Sequence, residues 1–183
     1  MVIAVASQKG GVGKTSSTIS LAAGLARKGK RVLLIDIDSQ ANSSKVLLPN
    51  YPQIQTHQTV FATILERSPL PTHQTSVPNL EIVPSHILLS NTDVELTTAI
   101  DHREERLKKE LDAVRGRYDY IFIDCPPTLS WLTINAFTAA DRVIVVVSPA
   151  TSNLTRSFRS ARPSKTCAGT LTLPLSSPAF SSR

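Results

Sequence analysis

Scarcity narrows the field before any motif does. Of 183 residues only two are cysteine, one is tryptophan and seven are glycine. The cysteines, Cys125 and Cys167, lie far apart with no CxxC spacing. That suggests neither a disulfide framework nor a zinc or iron–sulfur site, and fits a reducing, cytoplasmic compartment. No apolar run approaches the ~20 residues needed to cross a bilayer, and the N-terminus lacks the basic start and cleavage site of a secretory signal. The chain reads as soluble, globular and, at this length, built on one core.

Acidic residues are also few, 14 against 20 Lys and Arg, for a net charge of +6. Five of these positive charges, Arg156, Arg159, Arg162, Lys165 and Arg183, fall in residues 151–183, a stretch with no acid, so residues 1–150 carry only +1. Bulk charge is therefore poor evidence that the folded part binds nucleic acid.

What is present is an alternation of buried strands and helices. Residues 2–7 (VIAVAS) form a β-branched and alanine-rich strand that runs into a glycine-rich turn, and residues 15–27 supply a helix closed by Gly29. Residues 31–38 (RVLLIDID) are a second strand, apolar in its body and acidic at its C-terminal tip. Residues 49–79 read as an irregular surface excursion around a short helix at 60–67, and His57 and His73 within it share no ligand spacing. A strand at 80–84, a helix from Asn91, and an amphipathic helix at 103–115 with Glu104–Lys108 and Glu105–Lys109 pairs follow. Then come a strand at 118–124 ending in Asp124, a helix at 130–140 and a strand at 142–148. The order predicts a mostly parallel α/β sheet with helices on both faces, whose strand C-termini line one edge.

Between the first strand and first helix stands Lys9-Gly10-Gly11-Val12-Gly13-Lys14-Thr15. The phosphate-binding pattern GxxxxGK[ST] fails only at its first position, where Gln8 replaces glycine. Glycines let successive N–H groups point at a phosphate, and the helix N-terminus adds partial positive charge. Lys14 then reaches the β- and γ-phosphates, Thr15 offers a hydroxyl to Mg²⁺, and Ser16 lies beside the α-phosphate.

KGGVGKT with its extra lysine resembles the deviant Walker A box of the ParA/MinD superfamily. Gln8, the DIDSQAN stretch (Asp36, Asp38, Gln40, Asn42) and DCPPTLSWLTINAF at 124–137 resemble its ParA/Soj-type partition ATPases, over about residues 2–150. The resemblance implies a P-loop fold binding ATP and Mg²⁺. It implies that Lys9 reaches a partner subunit's nucleotide across a homodimer and that Asp38 prepares the attacking water, with Lys14 acting on the phosphates. Asp124 would hold Mg²⁺ through water, while Asp36 supports and Cys125 is a buried structural thiol. It further implies a ParB-type partner, non-specific DNA and a nucleoid location. Ser39 and Ala41 depart from the family's usual Pro and Gly and remove no carboxylate.

After Ala150 the family pattern stops, and residues 151–183 hold eight Ser, five Thr and three Pro without strand or helix periodicity, the composition of a disordered tail. Residues 1–150 are thus read as an incomplete nucleotide-binding domain, truncated or frameshifted, whose missing part would carry the base pocket, some dimer surface and much of the DNA surface. Two rival readings stand beside partitioning. One is a non-enzymatic fragment that binds nucleotide weakly or folds poorly. The other is a MinD-like membrane-associated regulator, which would need an amphipathic C-terminal helix that 151–183 does not show.

Overall fold

The computed structural model describes residues 1–99, 102–147 and the backbone of a strand at 170–174. Five parallel strands form its centre: β1 (Val2–Ala6), β2 (Val32–Asp36), β4 (Leu80–Val83), β5 (Tyr120–Asp124) and β6 (Arg142–Val146). Two antiparallel strands, β3 (His73–Gln74) and β7 (Thr170–Pro174), close the edges, giving the order β3-β4-β2-β5-β1-β6-β7. The predicted mostly parallel sheet is what forms, because VIAVA, VLLID and YIFID are apolar on both faces and can be buried on both.

Strand alternation splits the core in two. Val2, Ala4, Leu33, Ile35, Ile121 and Ile123 face one layer, built from α3 (Val60–Glu66), α4 (Thr92–Thr98), α5 (Arg106–Val114) and α6 (Trp131–Ala139). Ile3, Val5, Val32, Leu34, Ile82 and Phe122 face the other, covered by α1 (Lys14–Arg27) and the short α2 (Asn42–Leu47). In α1 the buried positions Lys14, Thr18, Ala22 and Ala26 repeat every fourth residue, so small side chains bring the helix close to the sheet. The helix ends in a Schellman arrangement: Gly29 N donates to the Ala26 carbonyl at 2.9 Å and Lys30 N to the Leu25 carbonyl at 3.2 Å. Each fully buried Leu or Ile in these layers contributes roughly 2 kcal/mol, and most lie on the strands.

Three readings need correction. The excursion at 49–79 is not wholly irregular or superficial. His73 and Gln74 pair with Ile82 and Glu81 of β4, and Val60, Ala62 and Ile64 are fully buried. A two-residue strand is too short to show alternation, which hid it in the sequence. The amphipathic helix begins at Arg106 rather than 103, since His102 sits at φ 41°, outside helical geometry. Glu104 and Glu105 thereby precede the first turn, and neither expected i,i+4 pair occurs among the described residues; Glu105 instead lies 3.5 Å from His102. Residues 170–174, expected to lack strand structure, pair with β6 from Arg142 to Val146. TLTLP alternates apolar and polar residues, but it is brief and sits in a serine- and proline-rich setting that masked it. The other expectations for residues 151–183, and with them the question of a C-terminal amphipathic helix, lie outside the described residues.

The TINA segment has a structural role. Asn135, fully buried in α6, accepts Leu107 N at 3.1 Å and donates to the carbonyls of Arg103 and Trp131 at 2.8 and 2.9 Å. It thus ties the start of α5 to α6, in a place where an unpaired amide would cost about 1–3 kcal/mol.

Candidate functional site

Parallel register brings the carboxylates together. Val5 and Asp36 both stand opposite Asp124, so the ends of β1, β2 and β5 meet at one edge. The chain leaves β1 through the glycine loop and enters α1 there. Gly11 and Gly13 hold φ values of 75° and 86°, which residues with a Cβ rarely adopt. A Cβ built on Gly10, Gly11 or Gly13 would meet nothing within 4 Å, so the loop does not pack against protein at these positions. Gly13 is also the N-cap of α1 and supplies no side-chain cap, leaving first-turn N–H groups for an anion.

Lys14 is only 7% exposed and its Nζ lies 2.7 Å from Asp124 Oδ1, 4.0 Å from Asp38 Oδ2 and 3.5 Å from Thr15 Oγ1. The other Asp124 oxygen accepts Ser43 Oγ at 2.7 Å. Asp38 Oδ1 accepts the Gln40 amide at 3.0 Å. Behind them, fully buried Asp36 accepts Ser44 N at 2.9 Å, Ser44 Oγ at 2.7 Å and the Asp38 amide at 3.2 Å. Ser85, just after β4, donates its amide to Ser44 Oγ at 2.9 Å and its hydroxyl to the Asp38 carbonyl at 2.6 Å.

These donors suit a polyphosphate with Mg²⁺. Among the described residues no group of three His, Cys, Asp or Glu side chains is placed to hold a metal ion. A single carboxylate beside a hydroxyl fits Mg²⁺, which keeps its waters and draws further oxygens from phosphates, better than an ion needing a full protein cage.

An AAA domain family model, AAA_31, matches residues 1–156. The chain belongs to this family. It is 45% identical over 148 residues to the sporulation initiation inhibitor protein Soj of Bacillus subtilis, covering 80% of this chain and 57% of Soj. It is 43% identical over 148 residues to the chromosome partitioning protein ParA of Caulobacter vibrioides, covering 79% and 54%. The chain thus spans little more than half the length of these curated relatives. Among solved structures, a plasmid partition protein of Borrelia burgdorferi superposes with a TM-score of 0.74 at 30% identity, covering 86% of this chain and 71% of that one. Cobyrinic acid a,c-diamide synthase of Mycobacterium smegmatis, solved with ADP and magnesium, gives 0.73 at 33%, covering 86% and 65%. The ParA/Soj resemblance read from the motifs holds, as does the P-loop fold.

Within this AAA domain, Lys14, Thr15, Asp38 and Asp124 form one cluster. Ser16 and Lys9 stand apart from it, both exposed, and Lys9 is anchored through its backbone carbonyl, which accepts Ser7 Oγ at 3.1 Å. Cys125 is wholly buried in the α3–α6 layer, where burial pushes its thiol up, as a structural thiol requires. Sequence reasoning missed Ser43, Ser44 and Ser85. The available signal was physical: carboxylates at the tips of apolar strands need donors, and Ser43-Ser44 is the nearest hydroxyl pair downstream.

Burial, and secondly the charge of Asp124, lift the Asp36 carboxyl to about 7. For an acid raised on folding, the stabilising contribution is complete below its unfolded value near 4 and disappears as pH rises through 7. The nucleotide-free chain is expected to lose on the order of 3 kcal/mol from this group between pH 4 and 7. Urea midpoints across that range should fall for the native chain relative to Asp36→Asn; parallel curves would remove Asp36 as the cause.

Proposed function

We propose that this chain binds Mg-ATP at the Gly10–Ser16 loop, uses it to form a homodimer, and serves in partitioning chromosomal or plasmid DNA with slow hydrolysis of ATP. The observation that carries the reading is the convergence of Asp38 and Asp124 within 4.0 Å of the Lys14 amine, beside an uncapped helix N-terminus. The 43% identity to the chromosome partitioning protein ParA of Caulobacter vibrioides supports it.

In this reading the loop amides and Lys14 Nζ bind the β- and γ-phosphates, and Lys14 exchanges part of its contact with Asp124 for them. Thr15 Oγ1 and Asp124 would hold Mg²⁺, which neutralises phosphate charge when bound. Asp38, its Oδ1 on Gln40 N and its Oδ2 toward Lys14, orients a water at the γ-phosphate and takes up its proton. Non-specific DNA, a ParB-type partner and a nucleoid location belong to the same proposal. Among the described residues no helix is long and apolar enough to cross a membrane.

Lys9 tests the dimer. Its exposed side chain points to no ion pair among the described residues, so it is available to a second subunit's phosphates. Lys9→Ala should leave monomer affinity for Mg-ATP within about threefold while abolishing ATP-dependent dimers in sedimentation velocity. Equal loss of both would make Lys9 a local ligand and undo the cross-subunit role.

A further inference from the structure

Asp38 opens a turn, Asp38-Ser39-Gln40-Ala41, whose last residue is strained although Asp38 Oδ1 accepts Gln40 N within it. Ala41 caps α2 at φ 53° and ψ 37°, a left-handed conformation that costs a residue with a Cβ about 1–2 kcal/mol, and α2 has no side-chain cap there. Strain of this kind persists only where neighbours over-determine the backbone. Two bonds converge on the Asp38 carbonyl: Ala41 N at 2.8 Å from within the turn and Ser85 Oγ at 2.6 Å from the end of β4. Ser85 is itself fixed from behind. Its amide donates to Ser44 Oγ, whose hydroxyl hydrogen goes to Asp36, and its carbonyl accepts Tyr51 Oη at 3.2 Å. Asp36, Ser44 and Ser85 are all fully buried, so water cannot replace a missing member.

We propose that Ser85 is a positioning residue for Asp38, its hydroxyl latching the strained turn so that the Asp38 carboxylate stays aimed at the phosphate loop. The latch joins two strand ends, β2 and β4, through the first turn of α2, and it acts on the Asp38 backbone and not on its carboxylate. The proposal rests on the Mg-ATPase reading for its effect on turnover, but the latch is a property of the nucleotide-free chain.

The test therefore has two arms, both on the full chain. In amide hydrogen exchange without nucleotide, Ser85→Ala should raise exchange of the Gln40 and Ala41 amides about tenfold or more while leaving the Cys125 amide, bonded to Val5 at 3.1 Å, unchanged. In turnover assays, Ser85→Ala should lower kcat about tenfold with KM within about twofold, because a displaced carboxylate costs the chemical step and not binding. Ser85→Thr, which retains the hydroxyl, should recover both readouts. Unchanged exchange at Ala41 overturns the latch whatever the enzyme does. A Ser85→Ala chain that fails to fold, or loses kcat and affinity in parallel, assigns the hydroxyl to stability and also overturns it. A native chain without turnover sinks the ATPase reading while the exchange arm still decides the latch.

Discussion

Lys14→Ala should weaken Mg-ATP binding at least about 100-fold by calorimetry, a loss of roughly 3 kcal/mol. Among the described residues the amine is the one cation inside the cluster, and charge-assisted contacts to phosphate are worth about twice a neutral hydrogen bond. The same change acts on the fold. Asp124 is fully buried, and deleting its partner at 2.7 Å leaves a carboxylate whose one remaining side-chain partner among the described residues is Ser43 Oγ, a situation that costs about 3–5 kcal/mol. The two effects separate in the double variant Lys14→Ala/Asp124→Asn, which should regain most of the melting temperature and none of the affinity. Native-like affinity in a folded Lys14→Ala chain would remove the phosphate role from this loop.

Asp38→Ala should retain Mg-ATP binding within a fewfold and retain dimers, while single-turnover hydrolysis falls about 100-fold, the scale of a lost general base or water-orienting group. The prediction follows from placement. Asp38 lies 4.0 Å from Lys14 Nζ, far enough that its removal costs the binding site little, and its carboxylate is less buried than those of Asp36 and Asp124. Removing it also takes a like charge from the neighbourhood of Asp124, so melting temperature should change little. Undiminished hydrolysis in this variant would dismiss Asp38 from the chemistry.

The residues differ in how openly the sequence declares them. The phosphate loop and the tips of β2 and β5 were legible because each combines an apolar run with an abrupt chemical change, and burial on both faces leaves parallel strands little freedom. The start of α5 was not, because Glu104 and Glu105 are good helix formers whose fate turns on the left-handed His102 before them. Nor was the Ser44–Ser85 chain, since its members are 41 positions apart and only the β2–β4 pairing at Ile35 and Val83 brings them together. Ser85 alone in a sequence says nothing; its meaning is entirely in the neighbour that topology provides.

The position of β1 in the sheet also bears on how the chain is made. This strand pairs Val2 with Ile121 and Ile3 with Arg142, and it has no strand neighbour drawn from the hundred residues after it. At synthesis rates of about 5–20 residues per second, β1 waits on the order of 6–25 s for its first partner to be made. Through that interval the five-residue apolar strand has no sheet partner, and of its final neighbours only α1 has been made. Shape at the phosphate loop is therefore acquired late, in the same event that delivers Asp124, and a nascent chain halted before β5 should be a client for chaperones and not for nucleotide.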